Sequence, residues 1–262
     1  TFHIPDGSTK EATLTILDSE KSPIRSFSNS GNSGDSQTLK VKNGTTSFIW
    51  DMKCPGSVKL SDDPRGYKPK ELNGVLAPPG SYYVQLEINS MTFEQPFTLI
   101  KDPRSNASQS ALDEQFELLL NIRDKLSEVH EAANMTRNID AQLQEWISRA
   151  EAHGSPNEVI DTANAIRDSL AEIEINLVAM KPPPGSLRGE VVRLNGKLVT
   201  LANVVSSADW APTKQSYEVF DIVCRQVDSN INSLKAIQDT EISSFVELIK
   251  HNQIPPIYTG GS

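Results

Sequence analysis

The sequence is short of cysteine, with only Cys54 and Cys224 in 262 residues. Those two fall in differently patterned halves, which excludes a disulfide framework and makes a single bridge between them unexpected. No Cys-x-x-Cys or His-x-x-x-His spacing occurs, and His3, His130, His153 and His251 are scattered, so no zinc-site pattern is present. Long apolar runs are missing as well. No stretch nears the ~20 residues that span a bilayer, and the chain reads as not transmembrane. Positive charge is in deficit, with 25 Lys and Arg against 34 Asp and Glu and a net charge of -9. The basic residues are not clustered, which argues against nucleic acid and against an anionic membrane surface. The chain opens on strand-like sequence without an initiator Met or a visible signal peptide, as a processed or excised piece of a longer protein would.

Patterns of catalysis are equally scarce. There is no Gly-x-Ser-x-Gly elbow and no phosphate-cradling glycine loop. Asp62-Asp63 is the densest carboxylate pair in a loop. It reads as a solvated loop, or at most a weak calcium site, rather than the facing acids of a glycosidase. Glu117, Asp124 and Glu128 share a helical stretch with Arg123 and Lys125 and no Glu-x-x-His pair, so they read as surface charges. His130 and His153 read as solvated helix residues. No catalytic, cofactor-binding or metal-ligating residue is assigned, and no cofactor is expected.

What is there divides in two. Ala12–Leu17, Ile24–Phe27, Leu39–Val41, Thr45–Trp50, Ser81–Ile88 and Met91–Ile100 are short runs of alternating or β-branched residues bounded by Ser, Asn, Gly and Pro. Phe48 and Trp50 share one face, and Trp50 is expected in the core. Cys54 to Val75 is a Pro- and Gly-rich excursion. Tyr82 and Tyr83 must point to opposite faces of one strand.

From Ser108 the spacing becomes helical. The first helix carries Leu112, Phe116, Leu119, Leu126, Val129, Ala133, Leu143, Trp146 and Ala150 inward, with a weak stretch over Thr136 to Asp140. Ser155-Pro156-Asn157-Glu158 has the form of a capping box. It opens a second helix with Val159, Ala163, Ile166, Leu170, Ile173 and Leu177 inward, stopped by Pro182-Pro183-Pro184-Gly185. A third helix is expected from about Ser186 to Val205. A fourth, after Asp209-Trp210-Ala211-Pro212-Thr213, carries Tyr217, Phe220, Cys224, Val227, Ile231, Leu234, Phe245 and Leu248, and is weak around Gln238 to Glu241. Polar groups or crossing elements are expected near Asn138 and Thr240. Trp146 is expected in the core and Trp210 against the turn it occupies.

These elements predict an immunoglobulin-like β-sandwich over residues 1–103, followed by an antiparallel up-down four-helix bundle over 104–262.

Thr13-Leu14-Thr15-Ile16-Leu17-Asp18, Ile24-Arg25-Ser26-Phe27, Trp50-Asp51 and Pro79-Gly80-Ser81-Tyr82-Tyr83-Val84-Gln85-Leu86 stand in an order that resembles the immunoglobulin-like module of the flagellar hook-capping protein (FlgD-type). Lys101-Asp102-Pro103-Arg104, Glu114 to Leu120, Ile122 to Val129 and Ala211-Pro212-Thr213 extend the likeness. Together they look like the C-terminal region of bacterial sortilin-like, BNR-repeat β-propeller "glycosyl hydrolase" proteins. The resemblance implies a non-catalytic structural or protein-interaction module of a secreted, periplasmic or envelope-associated bacterial protein. Its implied partner is a protein, either the parent's own upstream propeller or an envelope component. A carbohydrate-binding accessory role is the alternative, motivated by a strand-borne tyrosine that stacks on sugar. The propeller's Ser-x-Asp-x-Gly-x-Thr-Trp box is absent from this sequence, so the hydrolase label transfers no catalytic residue. Against a bacterial origin, the sequons at Asn43, Asn106 and Asn134 read as chance matches.

Overall fold

The computed structural model describes residues 1–4, 11–30, 38–42, 44–61, 71–89, 91–178 and 192–254. The strands are β1 (Phe2–Ile4), β2 (Ala12–Leu17), β3 (Pro23–Ser28), β4 (Gly44–Thr46), β5 (Gly80–Ile88) and β6 (Met91–Leu99). The helices are α1 (Gln109–His153), α2 (Asn157–Leu177), α3 (Leu194–Val205), α4 (Lys214–Ala236) and α5 (Ser243–His251), with a π-helical turn over Ile237–Ile242 between the last two.

Two compact units result, each assembled from separated segments. One comprises Thr1–Gly56, Leu72–Leu120 and Val205–Pro212; the other comprises Ser57–Glu71, Asn121–Val204 and Thr213–Ser262.

In the first unit, β3-β2-β5-β6 form an antiparallel sheet, with Leu14 opposite both Phe27 and Leu86. Strand side chains alternate between faces, so Ala12, Leu14, Ile16, Phe27 and Ile88 gather on one side and are buried. Each of the larger four of these side chains contributes about 1.5–3 kcal/mol relative to exposure. Thr13, Thr15 and Ser26 turn the other way. Trp50, Tyr82 and Phe97 close one end of this core with ring centroids 5.7 to 6.2 Å apart, and the Tyr82 hydroxyl donates to the Pro78 carbonyl at 2.6 Å. At the open edge of β6, Pro96 removes a backbone donor, which discourages pairing with another strand.

The expected sandwich followed by a four-helix bundle is not what the chain forms. A sandwich needs a second paired sheet facing the first, and here the second ladder is only β1 with β4, three residues each. Leu39 is buried and the Phe48 ring centroid sits 4.6 Å from that of Phe27, but neither residue lies in a strand, and the Leu39 amide makes a backbone bond to the Ser28 carbonyl. Apolar alternation at 39–41 and 47–50 therefore supplies core side chains without strands, and only Thr45 and Thr46 of the expected 45–50 strand are paired, in β4. Past Trp50, Met52 takes a positive φ and only the bridge Lys53–Leu76 continues the pairing.

The spacing makes the first and fourth helices longer than the second and third, yet the helices do not form a plain bundle of four. α1 runs for 45 residues against 12 for α3, and the last rod is broken by the π turn. On α2 the six buried positions are Val159, Ala163, Ile166, Leu170, Ile173 and Leu177, as the spacing predicts. The capping box does not form: α2 starts at Asn157 after Pro156, and among the described residues no side chain caps it and the buried Ser155 hydroxyl has no hydrogen-bond partner. Thr213 does cap α4, its hydroxyl accepting from the Ser216 amide. The Pro182–Gly185 stop and the expected start of the third helix, with Leu187 and Val191, lie outside the described residues.

Candidate functional site

In the second unit, α4 turns Val223, Val227 and Leu234 inward. That leaves Arg225, Gln226, Ser229 and Asn230 on a neighbouring strip, since residues three and four apart share a helix face. Asn176 from the last turn of α2, and Val192, Arg193, Leu194 and Lys197 at the start of α3, complete an open cleft of about 460 Å³. Lys197 Nζ donates to Gln226 Oε1 at 3.2 Å, Arg225 Nε to the Asp221 carbonyl at 3.3 Å, and Asn230 Nδ2 to the Gln226 carbonyl at 2.8 Å. All three acceptors are uncharged oxygens.

The arginines separate into two groups. Arg25, Arg104, Arg123, Arg137, Arg149 and Arg167 each hold a carboxylate. Arg193 and Arg225 are the described arginines that hold none, and both line this cleft. A guanidinium stays charged at any ordinary pH and matches a planar oxyanion with two parallel donors. No carboxylate, histidine or cysteine lines the cleft among the described residues, and its cationic side chains offer hydrogen-bond donors.

A second cluster lies on α1 of the same unit. Ser127, His130, Asn134 and Arg137 recur at helical spacing and hold the irregular backbone of residues 57–61. Ser127 Oγ accepts from the Val58 amide at 3.1 Å, and His130 Nδ1 meets the Val58 carbonyl at 2.6 Å. Asn134 bonds both the Ser61 amide and the Lys59 carbonyl. Arg137 donates to the Ser61 carbonyl at 2.6 Å and to Glu174 of α2 at 2.7 Å. These side chains do for 57–61 what a neighbouring strand would do. His130 Nε2 and Arg137 Nη2 are buried with no hydrogen-bond partner among the described residues. Burial pushes the His130 pKa down, and Arg137 adds to the lowering, while the Val58 carbonyl and Glu71 oppose it.

The sequence expectations fare unevenly. His130 is fully buried rather than solvated, whereas His153 is exposed. Trp146 is half-buried under Arg149, 5.0 Å from its ring, and Ile147 takes the core position instead. Trp210 is 65% exposed and does not pack its turn. Tyr82 is the inward tyrosine, and Tyr83 carries the Lys21 ammonium 5.0 Å over its ring. Asp124 and Glu128 are surface charges paired with Arg123 and Lys125, and Glu117 is exposed. Asp62-Asp63 lies outside the described residues, as does Asn43 of the first sequon. Neither cysteine is in a disulfide, and burial raises the Cys224 pKa.

Among the described residues no group of three or more His, Cys, Asp or Glu side chains is placed to hold a metal ion. No described helix is long and apolar enough to cross a membrane. The cleft was not legible beforehand, because its cations come from two helices and no local spacing marks them. No family model matches the chain, and neither a curated protein nor a solved structure matches it.

Proposed function

We propose that the chain is a non-catalytic structural and protein-interaction module, belonging to the C-terminal part of a secreted or envelope-associated bacterial propeller protein. The observation that carries the interaction reading is the cleft between α2, α3 and α4. It collects cationic and amide donors and has no carboxylate, histidine or cysteine among its described lining residues. Such a lining suits binding of an anion more than the paired acid and base of a hydrolase. The parent protein is argued from the resemblance of Lys101 to Arg104, Glu114 to Val129 and Ala211 to Thr213 to the tails of sortilin-like propeller proteins.

Two measurements test the two parts. The purified chain is assayed on a panel of glycosides and esters, and no turnover is expected. Turnover that a single substitution removes overturns the non-catalytic reading. Sequencing the reading frame upstream of Thr1 is expected to find a signal peptide and propeller blades. A frame that starts beside Thr1 overturns the parent.

A further inference from the structure

We infer that the α2/α3/α4 cleft is a carboxylate site that takes an acidic peptide segment of a partner protein. This deepens the interaction reading above and rests on it. The chain carries 34 acidic residues against 25 basic ones, and in such a chain a cation normally finds a carboxylate at home. Arg193 and Arg225 do not, although the other described arginines all do. Lys197 joins them in the same cleft, held toward α4 by Gln226. Three positive charges that no described carboxylate pairs with face one space, opposite in sign to the net charge of the chain.

The remaining lining selects within the anions. Asn176, Gln226 and Asn230 offer both donors and acceptors, which suits the amide groups of a peptide. Val192, 58% exposed, gives an aliphatic contact at the rim. No aromatic ring lines the cleft among the described residues, so the stacking surface that a sugar ring favours is missing. The volume of about 460 Å³ accommodates two or three residues of an extended chain rather than a folded surface.

The test is isothermal titration of the whole chain with a hexaglutamate peptide at low salt. Binding is expected, weakening with added salt. Arg193→Gln with Arg225→Gln is expected to reduce the affinity at least about tenfold, since each loses a charge-assisted bond. Lys214→Gln, an exposed cation outside the cleft, should leave it unchanged. Thermal melts of both variants must match the parent chain; if the double variant melts early, Lys197→Gln replaces it. Failure to bind the peptide overturns the inference. So does equal weakening by Lys214→Gln, or full competition by equimolar inorganic phosphate. Binding of a trigalacturonate without binding of the peptide would move the site to acidic sugars and overturn the peptide assignment. Any of these without substrate turnover leaves the non-catalytic reading standing, so the two failures are distinguishable.

Discussion

The Nδ1 atom of His130 lies 2.6 Å from the carbonyl oxygen of Val58, and the imidazole is wholly buried. A carbonyl only accepts, so Nδ1 carries the proton of the neutral ring, and Nε2 is its bare acceptor. A second proton would sit on Nε2, where no described group receives it. The segment 57–61 is therefore held by a histidine in its neutral form.

The stability of the chain should fall in mild acid for this reason. The folded pKa of His130 lies below its ordinary value of 6.5. The unfolded chain then binds more protons in the window between the lowered value and 6.5, so the His130 contribution is complete above 6.5 and is lost as pH falls through that window. Urea unfolding at pH 7.5 and at pH 5 should show the loss. In His130→Leu that part of the difference should vanish, and the variant should be weaker at pH 7.5 by about 1–3 kcal/mol, because the Val58 carbonyl loses its donor. An unchanged difference between the two pH values in the variant would remove His130 as the cause.

Arg137 and Glu174 tie α1 to α2 with side chains only 15% and 13% exposed. Removing one partner of such a pair strands the other charge, whereas removing both with apolar groups is far less costly. Glu174→Met alone should destabilise by about 2–4 kcal/mol. Arg137→Met with Glu174→Met should recover a good part of that, less the bond from Arg137 to the Ser61 carbonyl. A denaturant double-mutant cycle reads the coupling, and strict additivity would contradict it.

What the sequence disclosed follows the range of the forces involved. The inward stripe of α2 and the extent of β2 were readable, because periodicity records which face a neighbour covers. The weak stretch near Asn138 also marked a real polar meeting: Arg137 reaches Glu174, and Asp140 reaches Arg167. His130 was misread because its partner, Val58, is 72 residues away and offers only backbone. The sandwich failed for a similar reason. Phe48 and Trp50 alternate as a strand does, but strand pairing needs a neighbouring backbone that pattern cannot name. Arg193 and Arg225 gave no signal at all, since what distinguishes them is the carboxylate they lack.

The last helix shows how one turn changes the inward face. The regular spacing predicts Leu248 inward. The π turn at Ile237–Ile242 contains more residues per turn than an α-helix and delays the stripe by about one residue. Phe245 and Ile249 are accordingly buried, while Leu248 is half-buried. Ile249→Ala should cost about 2–4 kcal/mol, and Leu248→Ala clearly less. Thermal melts of the two variants decide it, and a reversed order would mean that the turn is α-helical in solution.

Gly74 and Gly154 both adopt positive φ, at 97° and 67°. They differ in surroundings. A Cβ on Gly154, just past the end of α1, meets nothing within 4 Å, whereas a Cβ on Gly74 runs into the Cys54 carbonyl. That carbonyl belongs to a short antiparallel contact in which the Cys54 amide donates to Val75 at 2.8 Å and the Ala77 amide to Met52 at 2.7 Å. Cys54, Val75 and Ala77 are all buried, so the backbone there has little room to move. Gly154→Ala should cost only its left-handed conformation, about 1 kcal/mol. Gly74→Ala carries that same penalty and must also displace buried backbone, so it should cost roughly 3 kcal/mol or more. Urea unfolding of the two variants separates conformation from contact. Equal losses would show that the Cys54 carbonyl yields, and that φ alone fixes the choice of glycine at position 74.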